Sequence, residues 1–275
     1  MGKAALEVTG ASHTFHSGGS NELLALNDVN LSLEAGSFVV VIGLNGSGKS
    51  TLLNAIAGAL YPLDRGKICI AGKDVTRWPE HRRAGLIGRV FQNPFTGSAE
   101  ELTIAQHLAL AARRGRRADF RLALDKSTRE ASEARVLGLS MGLEDRLETP
   151  MGALSGGQRQ ALTLLMATMV RPTVLLLDEH TAALDPRSAE QVLRVTQELV
   201  TRELLTTLMV THSLQQAVRL GDRVIMMHRG RVVHDISGAR KRRLRVDDLL
   251  DYLDEVRSAE MLDESAAEML RRMYV

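Results

Sequence analysis

A glycine-rich segment constrains this chain more than any other feature, because its pattern allows very few local structures. It follows four aliphatic residues, 39–42, and precedes a helix-forming run, 51–59. It matches G-x-x-x-x-G-K-[ST], in which glycines let the backbone wrap phosphate oxygens at a helix start. We predict a nucleotide-phosphate site formed by Gly43, Leu44, Asn45, Gly46, Ser47, Gly48, Lys49, Ser50 and Thr51. Lys49 would reach the β- and γ-phosphates, and Ser50 would bind Mg²⁺.

Short apolar runs around this segment predict the fold class. Continuous apolar runs are typical of parallel strands covered on both faces, and they occur at 39–42, 86–91, 174–177, 208–210 and 224–227. Residues 29–33 and 68–70 each end at a turn and predict half-exposed edge hairpins. Residues 103–137 are rich in helix formers. We therefore expect an α/β fold with an antiparallel β edge and a helical insertion.

Composition narrows the functional classes. The 275 residues are enough for a full core, and 35 Lys and Arg against 33 Asp and Glu give a net charge of +2. That charge and 3% aromatic residues disfavour nucleic acid as a partner. One cysteine, Cys69, excludes an internal disulfide. The apolar runs are too short to span a membrane, so a membrane role would come through a partner.

Two carboxylates follow the aliphatic run 174–177. The carboxyl ends of parallel strands face the ligand crevice in this class of fold. We predict that Asp178 holds Mg²⁺, directly or through water, and that Glu179 orients or deprotonates the water attacking the γ-phosphate. Acidic residues also end strands as plain turn formers, but two together in a chain with a phosphate loop favour function.

A second helix start carries two glycines. Ser155, Gly156, Gly157 and Gln158 have the S-x-x-Q spacing of a capping box. Alone, this spacing indicates only where a helix begins. The glycines leave the first-turn N–H groups unscreened, so the segment also predicts a second anion-binding helix terminus.

Residues 154–158 resemble the signature motif of the ATP-binding cassette family, and four more family marks follow the expected order. Gln92 is similar to the glutamine that contacts Mg²⁺ and senses the transporter subunit. Asp185, in the segment 183–185, resembles the D-loop aspartate. His212 resembles the switch histidine that contacts the γ-phosphate, and Phe15 stands where an aromatic residue stacks on adenine. The resemblance covers residues 6–236.

The resemblance implies a RecA-like phosphate-loop core that binds ATP and Mg²⁺. It predicts a core with its antiparallel subdomain at 1–92 and 172–238, a helical subdomain at 93–171 and a helical tail at 239–275. Two copies would pair head to tail, because each carries one phosphate loop and one signature motif. Permease subunits in the membrane, and indirectly a solute-binding protein, would be the further partners. The protein would lie peripherally on the cytoplasmic face of the inner membrane.

The predicted activity is ATP hydrolysis that drives transport, most similar to importers of the tryptophan/tyrosine type. Import of a small solute such as an amino acid is favoured. An exporter ATPase and a soluble cassette ATPase, such as an iron–sulfur assembly factor, remain alternatives. Cassette proteins that act on nucleic acids typically have tandem cassettes or long coiled coils, whereas this chain has one cassette and no sustained heptads. A small-molecule kinase would lack the signature motif. Both classes are therefore disfavoured.

Two residues depart from the usual family pattern. His180 stands where proline usually follows the catalytic glutamate, and we interpret it as a turn residue. Phe15 replaces the more usual tyrosine, which keeps the aromatic face and loses the hydroxyl. Neither change is expected to prevent ATP hydrolysis.

Overall fold

The strands of the chain pair into two sheets. The computed structural model describes residues 4–19, 21–60, 63–115 and 126–258. The strands are β1 (Ala4–Phe15), β2 (Leu23–Glu34), β3 (Phe38–Ile42), β4 (Arg65–Ile70), β5 (Lys73–Asp74), β6 (Ile87–Val90), β7 (Val174–Asp178), β8 (Thr207–Val210), β9 (Arg223–His228) and β10 (Arg231–Ser237). The α-helices are α1 (Lys49–Ala57), α2 (Glu80–Arg83), α3 (Ile104–Ala111), α4 (Lys126–Leu137), α5 (Gly156–Thr168), α6 (Pro186–Glu203), α7 (Leu214–Arg219), α8 (Gly238–Arg243) and α9 (246–258).

The six-stranded sheet has the order β10-β9-β3-β8-β7-β6. All of its strands except β10 run parallel, which confirms the five parallel strands predicted from continuous apolar runs. The carboxyl ends of β3, β6, β7 and β8 therefore meet at one edge. The segments that follow these ends carry the phosphate loop, Gln92, the Asp178–Glu179 pair and His212.

The four-stranded antiparallel sheet has the order β2-β1-β4-β5. The edge hairpin predicted at 68–70 is present, because β4 pairs with β5 and β5 is the last strand of the sheet, although β4 itself also pairs with β1. Ile68 and Ile70 are fully buried. At 29–33 the edge position is confirmed, since β2 pairs only with β1 among the described residues, but the predicted hairpin is wrong because the turn after β2 leads to β3 in the other sheet.

The central strand β3 faces two cores. Val40 and Ile42 belong to a cluster that includes apolar residues of α5 and α6, whereas Val39 and Val41 belong to a cluster that includes α1 and the antiparallel sheet. This alternation explains why β3 is an unbroken aliphatic run: both of its faces are covered.

The predicted helical insertion contains α3, α4 and α5. Thr103 caps α3 and Ser155 caps α5, each with a complete capping box. Residues 116–125, in the middle of the predicted helical run, lie outside the described residues.

The described part of the tail packs against the core of its own chain. In α9, Leu249 is fully buried, and Tyr252 stacks on His234 of β10 with ring centroids 4.4 Å apart. In α8, Lys241 Nζ donates to the Val218 carbonyl at 2.8 Å. The second predicted helical stretch, 263–273, lies outside the described residues. Across the described residues, no helix combines the length and apolarity needed to cross a bilayer.

Candidate functional site

The glycine-rich segment forms the loop between β3 and α1. A Cβ on Gly43, whose φ is +152°, would lie 2.2 Å from the Met227 carbonyl oxygen, so the position requires glycine. Gly48, with φ +98°, is the N-cap of α1 and supplies no side-chain acceptor. Asn45 and Gly46 are exposed at the loop. The helix start therefore faces an accessible loop with N–H groups that can bind an anion.

Lys49 lies beneath this loop with 6% of its surface exposed. Its Nζ donates to the carbonyl oxygens of Gly43 at 2.9 Å and Leu44 at 2.8 Å. Burial lowers the pKa of Lys49, and the charges of Glu179 and Asp178 oppose that shift. The ammonium group thus lies between the loop and the two carboxylates.

Asp178 ends β7 next to Ser50. Burial raises the pKa of Asp178, the Arg89 cation lowers it, the adjacent Glu179 charge raises it, and a hydrogen bond from the Ser50 hydroxyl lowers it. A carboxylate beside a hydroxyl provides the oxygen ligands that Mg²⁺ prefers. The described residues contain no cluster of three or more His, Cys, Asp or Glu that could hold a metal. Mg²⁺ takes further ligands from substrate phosphates and water.

Glu179 and His212 are in direct contact. His212 Nδ1 lies 3.1 Å from Glu179 Oε1. The Glu179 backbone has φ +44°, a region that L residues rarely occupy, and its N–H donates to the Val210 carbonyl at 3.0 Å. The His212 side chain is 57% exposed and that of Glu179 is 17% exposed. The pair is therefore open to a ligand on the histidine side.

The second helix start forms the predicted capping box. Gln158 N–H donates to Ser155 Oγ at 3.3 Å, and Ser155 N–H donates to Gln158 Oε1 at 3.2 Å. A Cβ on Gly157 would lie 2.9 Å from the Ser188 Cβ, so the glycine allows α5 to approach the start of α6 closely.

Asp185 caps α6 on the same surface. Its carboxylate accepts from the Ser188 N–H at 3.1 Å, and the hydrogen bonds with Ser188 lower its pKa. The side-chain hydrogen bonds of Ser155 and Gln158 within the described residues join them to each other and to Met141, not to the phosphate loop.

A cleft of about 600 Å³ connects the remaining predicted residues. Gln92, Asp178, Gly156 and Leu184 are among the residues that line it. It brings the predicted glutamine together with the metal carboxylate and the first signature glycine. Phe15 lies elsewhere, at the end of β1 opposite Leu23, half-buried and edge-to-face with His13 at 4.9 Å.

Sequence reasoning missed Arg89. Its Nη2 lies 2.6 Å from Asn54 Oδ1 and 3.7 Å from Asp178 Oδ2, and its guanidinium covers the Phe91 ring at 4.5 Å. The sequence does contain a signal for Arg89, namely an arginine within an otherwise apolar predicted strand. A buried cation needs a partner, so this arginine indicates a polar contact inside the fold.

His180 lies in a turn, as interpreted, but it is also fully buried. Its Nε2 lies 3.0 Å from Thr196 Oγ1 on α6. Thr196 Oγ1 itself donates to the Val192 carbonyl at 2.8 Å, so His180 Nε2 carries the proton in their shared bond. Burial lowers the pKa of His180 to about 4.

Comparison with known proteins identifies the family. The model of the family described as ABC transporter matches residues 26–182, more than half of the chain. The chain belongs to the ABC transporter family. The cassette is 38% identical over 249 residues to the tyrosine transport ATP-binding protein of Clostridioides difficile, covering 90% of this chain and 98% of that protein.

Other relatives belong to different transport systems, one of them an export protein. The energy-coupling factor transporter ATP-binding protein EcfA2 of Acetivibrio thermocellus is 34% identical, with 82% of this chain and 78% of that protein covered. The macrolide export ATP-binding/permease protein MacB of Salmonella typhimurium is 35% identical, with 87% of this chain but only 36% of that protein covered.

Solved cassettes share the fold. A dimeric bacterial ABC transporter cassette, MJ0796, superposes with a TM-score of 0.69 at 28% identity, covering 84% of this chain and 98% of that chain. The same cassette in a dimeric post-hydrolysis state with ADP and Pi gives a TM-score of 0.71 at 26% identity, with the same coverage. The predicted α/β fold class is confirmed, and the protein is an ATP-binding ATPase subunit of a transporter.

Proposed function

We propose that this cassette drives the import of a small solute, with an amino acid as the leading candidate, through a separate membrane permease. The observation that carries the proposal is the match to the tyrosine transport ATP-binding protein, which covers nearly all of both chains. The macrolide export relative instead matches over about a third of a longer ATP-binding/permease protein. That contrast favours an importer over an exporter.

The site residues have distinct roles in ATP binding. The loop N–H groups of residues 43–48 and the Lys49 ammonium bind the phosphates. Ser50, Asp178 and Gln92 would supply oxygen ligands to Mg²⁺, and the bound ion would neutralise phosphate charge. Phe15 offers its ring face to adenine. The proximity of the Ser50 hydroxyl to the Asp178 carboxylate supports the shared metal role.

Glu179 acts in hydrolysis as the base for the attacking water. Its carboxylate follows β7 at the ligand edge of the sheet, and we assign His212, beside it, the contact with the γ-phosphate. Both residues follow parallel strands, β7 and β8, so the sheet fixes their spacing.

Two cassettes complete two ATP sites by pairing head to tail. Among the described residues, the side-chain hydrogen bonds of Ser155 and Gln158 go to each other and to Met141 and not to the phosphate loop, which supports their use on a second copy. Ser155, Gly156, Gly157 and Gln158 of one copy would bind the γ-phosphate held by the other, with Asp185 at the same interface.

The permease would dock beside the segment that follows Gln92. An apolar cavity of about 410 Å³ is lined by residues of β6, α3 and α5, including Phe91, Leu110 and Met166. Phe95 is 51% exposed and lies under the Arg159 guanidinium at 4.0 Å. A short permease helix that inserts here would contact the metal-site glutamine and the helical segment together. The cassette would then lie peripherally on the cytoplasmic membrane face, with a solute-binding protein as an indirect partner.

Purification of the tagged cassette from its native membrane tests this function. We expect a multi-span permease to co-purify, and ATP hydrolysis in proteoliposomes to rise when a solute-loaded binding protein is added on the opposite face. Transport away from the ATP side would support the exporter alternative. A soluble protein as the only partner would support the soluble cassette alternative and overturn the importer proposal.

A further inference from the structure

Gln216 lies between the two turns that carry Glu179 and His212. It is the third residue of α7, and its side chain reaches both turns. Gln216 Nε2 donates to Thr181 Oγ1 at 3.3 Å, and Gln216 Oε1 accepts from Thr211 Oγ1 at 2.8 Å. Thr181 is two residues after Glu179, and Thr211 immediately precedes His212. One amide therefore bridges the segments that hold both residues.

The two hydrogen bonds of the Gln216 amide are largely shielded from water. Thr181 and Thr211 are 6% and 4% exposed, and Gln216 is half-buried. Thr211 is anchored further, because its N–H donates to the Val41 carbonyl of β3 at 3.1 Å. Hydrogen bonds shielded from water hold geometry more strongly than exposed ones. The Gln216 amide thus connects Thr181 to the strand that leads into the phosphate loop.

Local capping does not account for this side-chain conformation. Ser213 Oγ accepts from the Gln216 N–H at 3.3 Å, which is half of a capping box. In the other half of a capping box, the Ser213 N–H would donate to the side-chain oxygen of Gln216, Oε1. That N–H instead donates to Thr211 Oγ1 at 3.1 Å. The amide is consequently left to bridge the two threonines.

We infer that Gln216 is a positioning residue that holds Glu179 and His212 at their contact distance for ATP hydrolysis. The inference rests on the roles proposed above for Glu179 and His212. Glu179 has φ +44°, a backbone conformation that persists only where the surroundings hold it. Catalytic groups must be held close to their productive geometry, so loosening this turn should slow the reaction far more than it weakens ATP binding.

Gln216→Met tests the bridge, because methionine is of similar length and cannot make either amide hydrogen bond. We expect kcat for ATP hydrolysis to fall about tenfold, with ATP affinity measured by calorimetry and KM both within about twofold. Gln106→Met is the matched control. Gln106 closes the capping box of α3, so this variant also loses a helix-start hydrogen bond but should keep its kcat.

A double-mutant cycle with Thr181→Val provides the second measurement. If the hydrogen bond matters, the loss of kcat in the double variant will be smaller than the product of the two single losses. An unchanged kcat in Gln216→Met, an equal loss in Gln106→Met, or an effect on KM alone would each overturn the inference. Glu179→Gln separates the two levels: if it hydrolyses ATP at the normal rate, the proposed role of Glu179 fails. If Glu179→Gln is slow and Gln216→Met is normal, only the positioning role fails.

Discussion

The starts of α5 and α7 have the same S-x-x-Q spacing but differ in what the glutamine does. In both, the serine oxygen accepts the glutamine N–H at 3.3 Å. In α5, Gln158 turns back to its own N-cap and completes the box. In α7, Gln216 turns away and bridges Thr181 and Thr211. The same local signal therefore gives a self-contained helix start in one place and a brace between turns in the other.

Neighbouring groups explain the difference. The Ser155 N–H is available to Gln158, whereas the Ser213 N–H is already taken by Thr211. Two glycines follow Ser155, so the α5 start has bare N–H groups that can serve a ligand from outside the chain. Larger side chains, Leu214 and Gln215, follow Ser213. We therefore expect the α5 start to act between copies and the α7 start to act within one copy.

Glu179→Gln should have the largest effect and should separate these two roles. Loss of the general base is expected to slow hydrolysis by roughly 10²- to 10⁴-fold, while ATP stays bound. The closed dimer should then accumulate, because the γ-phosphate gripped by the partner's α5 start is not removed. Size-exclusion chromatography with ATP and Mg²⁺, beside a phosphate-release assay, measures both effects. Lys49→Ala is the contrast, since it should lose ATP binding itself and form no such dimer.

Gly157→Ala should abolish the dimer trapped by Glu179→Gln. The added Cβ would lie 2.9 Å from the Ser188 Cβ, so the start of α5 must shift away from α6. ATP binding to the unpaired cassette should stay within about twofold of normal, because the phosphate loop lies between β3 and α1 and contains no residue of α5. Adding Ser188→Gly removes the clashing atom and should restore the dimer. A dimer that persists in Gly157→Ala would contradict the assignment of the α5 start to the interface.

The burial of His180, in the turn after Glu179, should make the free energy of unfolding depend on pH. Burial lowers the pKa of His180 to about 4 from its ordinary 6.5, so the unfolded chain binds a proton in this range and the folded chain does not. Stability is therefore lost as pH falls from about 6.5 towards 4, by about 2 kcal/mol between pH 7 and pH 5. Urea unfolding of the wild type and His180→Gln at both pH values measures this loss. An identical loss in the two proteins would exclude His180 as its source.

Much of the fold could be predicted because its signals are local. The phosphate loop, the five parallel strands and the capping box of α5 depend on residues adjacent in sequence. The pairing of β4 with β1 could not be predicted, because these two strands are far apart in the sequence. The tail shows the same limit: its helical pattern was visible, but the burial of Leu249 depends on packing against the core.

In the candidate site, the residues of the sequence motifs could be predicted, but the residues that contact and position them could not. Arg89 reaches Asp178 and Asn54 because β6 pairs with β7 and because α1 passes nearby. Gln216 is an ordinary first-turn residue in sequence, since only the fold brings Thr181 within its reach.

Alanine substitutions at the N-caps of α5 and α7 should have the smallest effects, and they compare the two helix starts most directly. Ser155→Ala and Ser213→Ala each remove one cap, so each should lower the free energy of unfolding by about 1 kcal/mol. Ser155→Ala should also weaken the ATP-dependent dimer, because Ser155 faces the partner's γ-phosphate. Ser213→Ala should leave kcat within about twofold, because the Gln216 amide can still bond both threonines. If Ser213→Ala lowers kcat as much as Gln216→Met does, the cap and not the amide bridge holds the two turns, and the α7 start would then differ from α5 only in location.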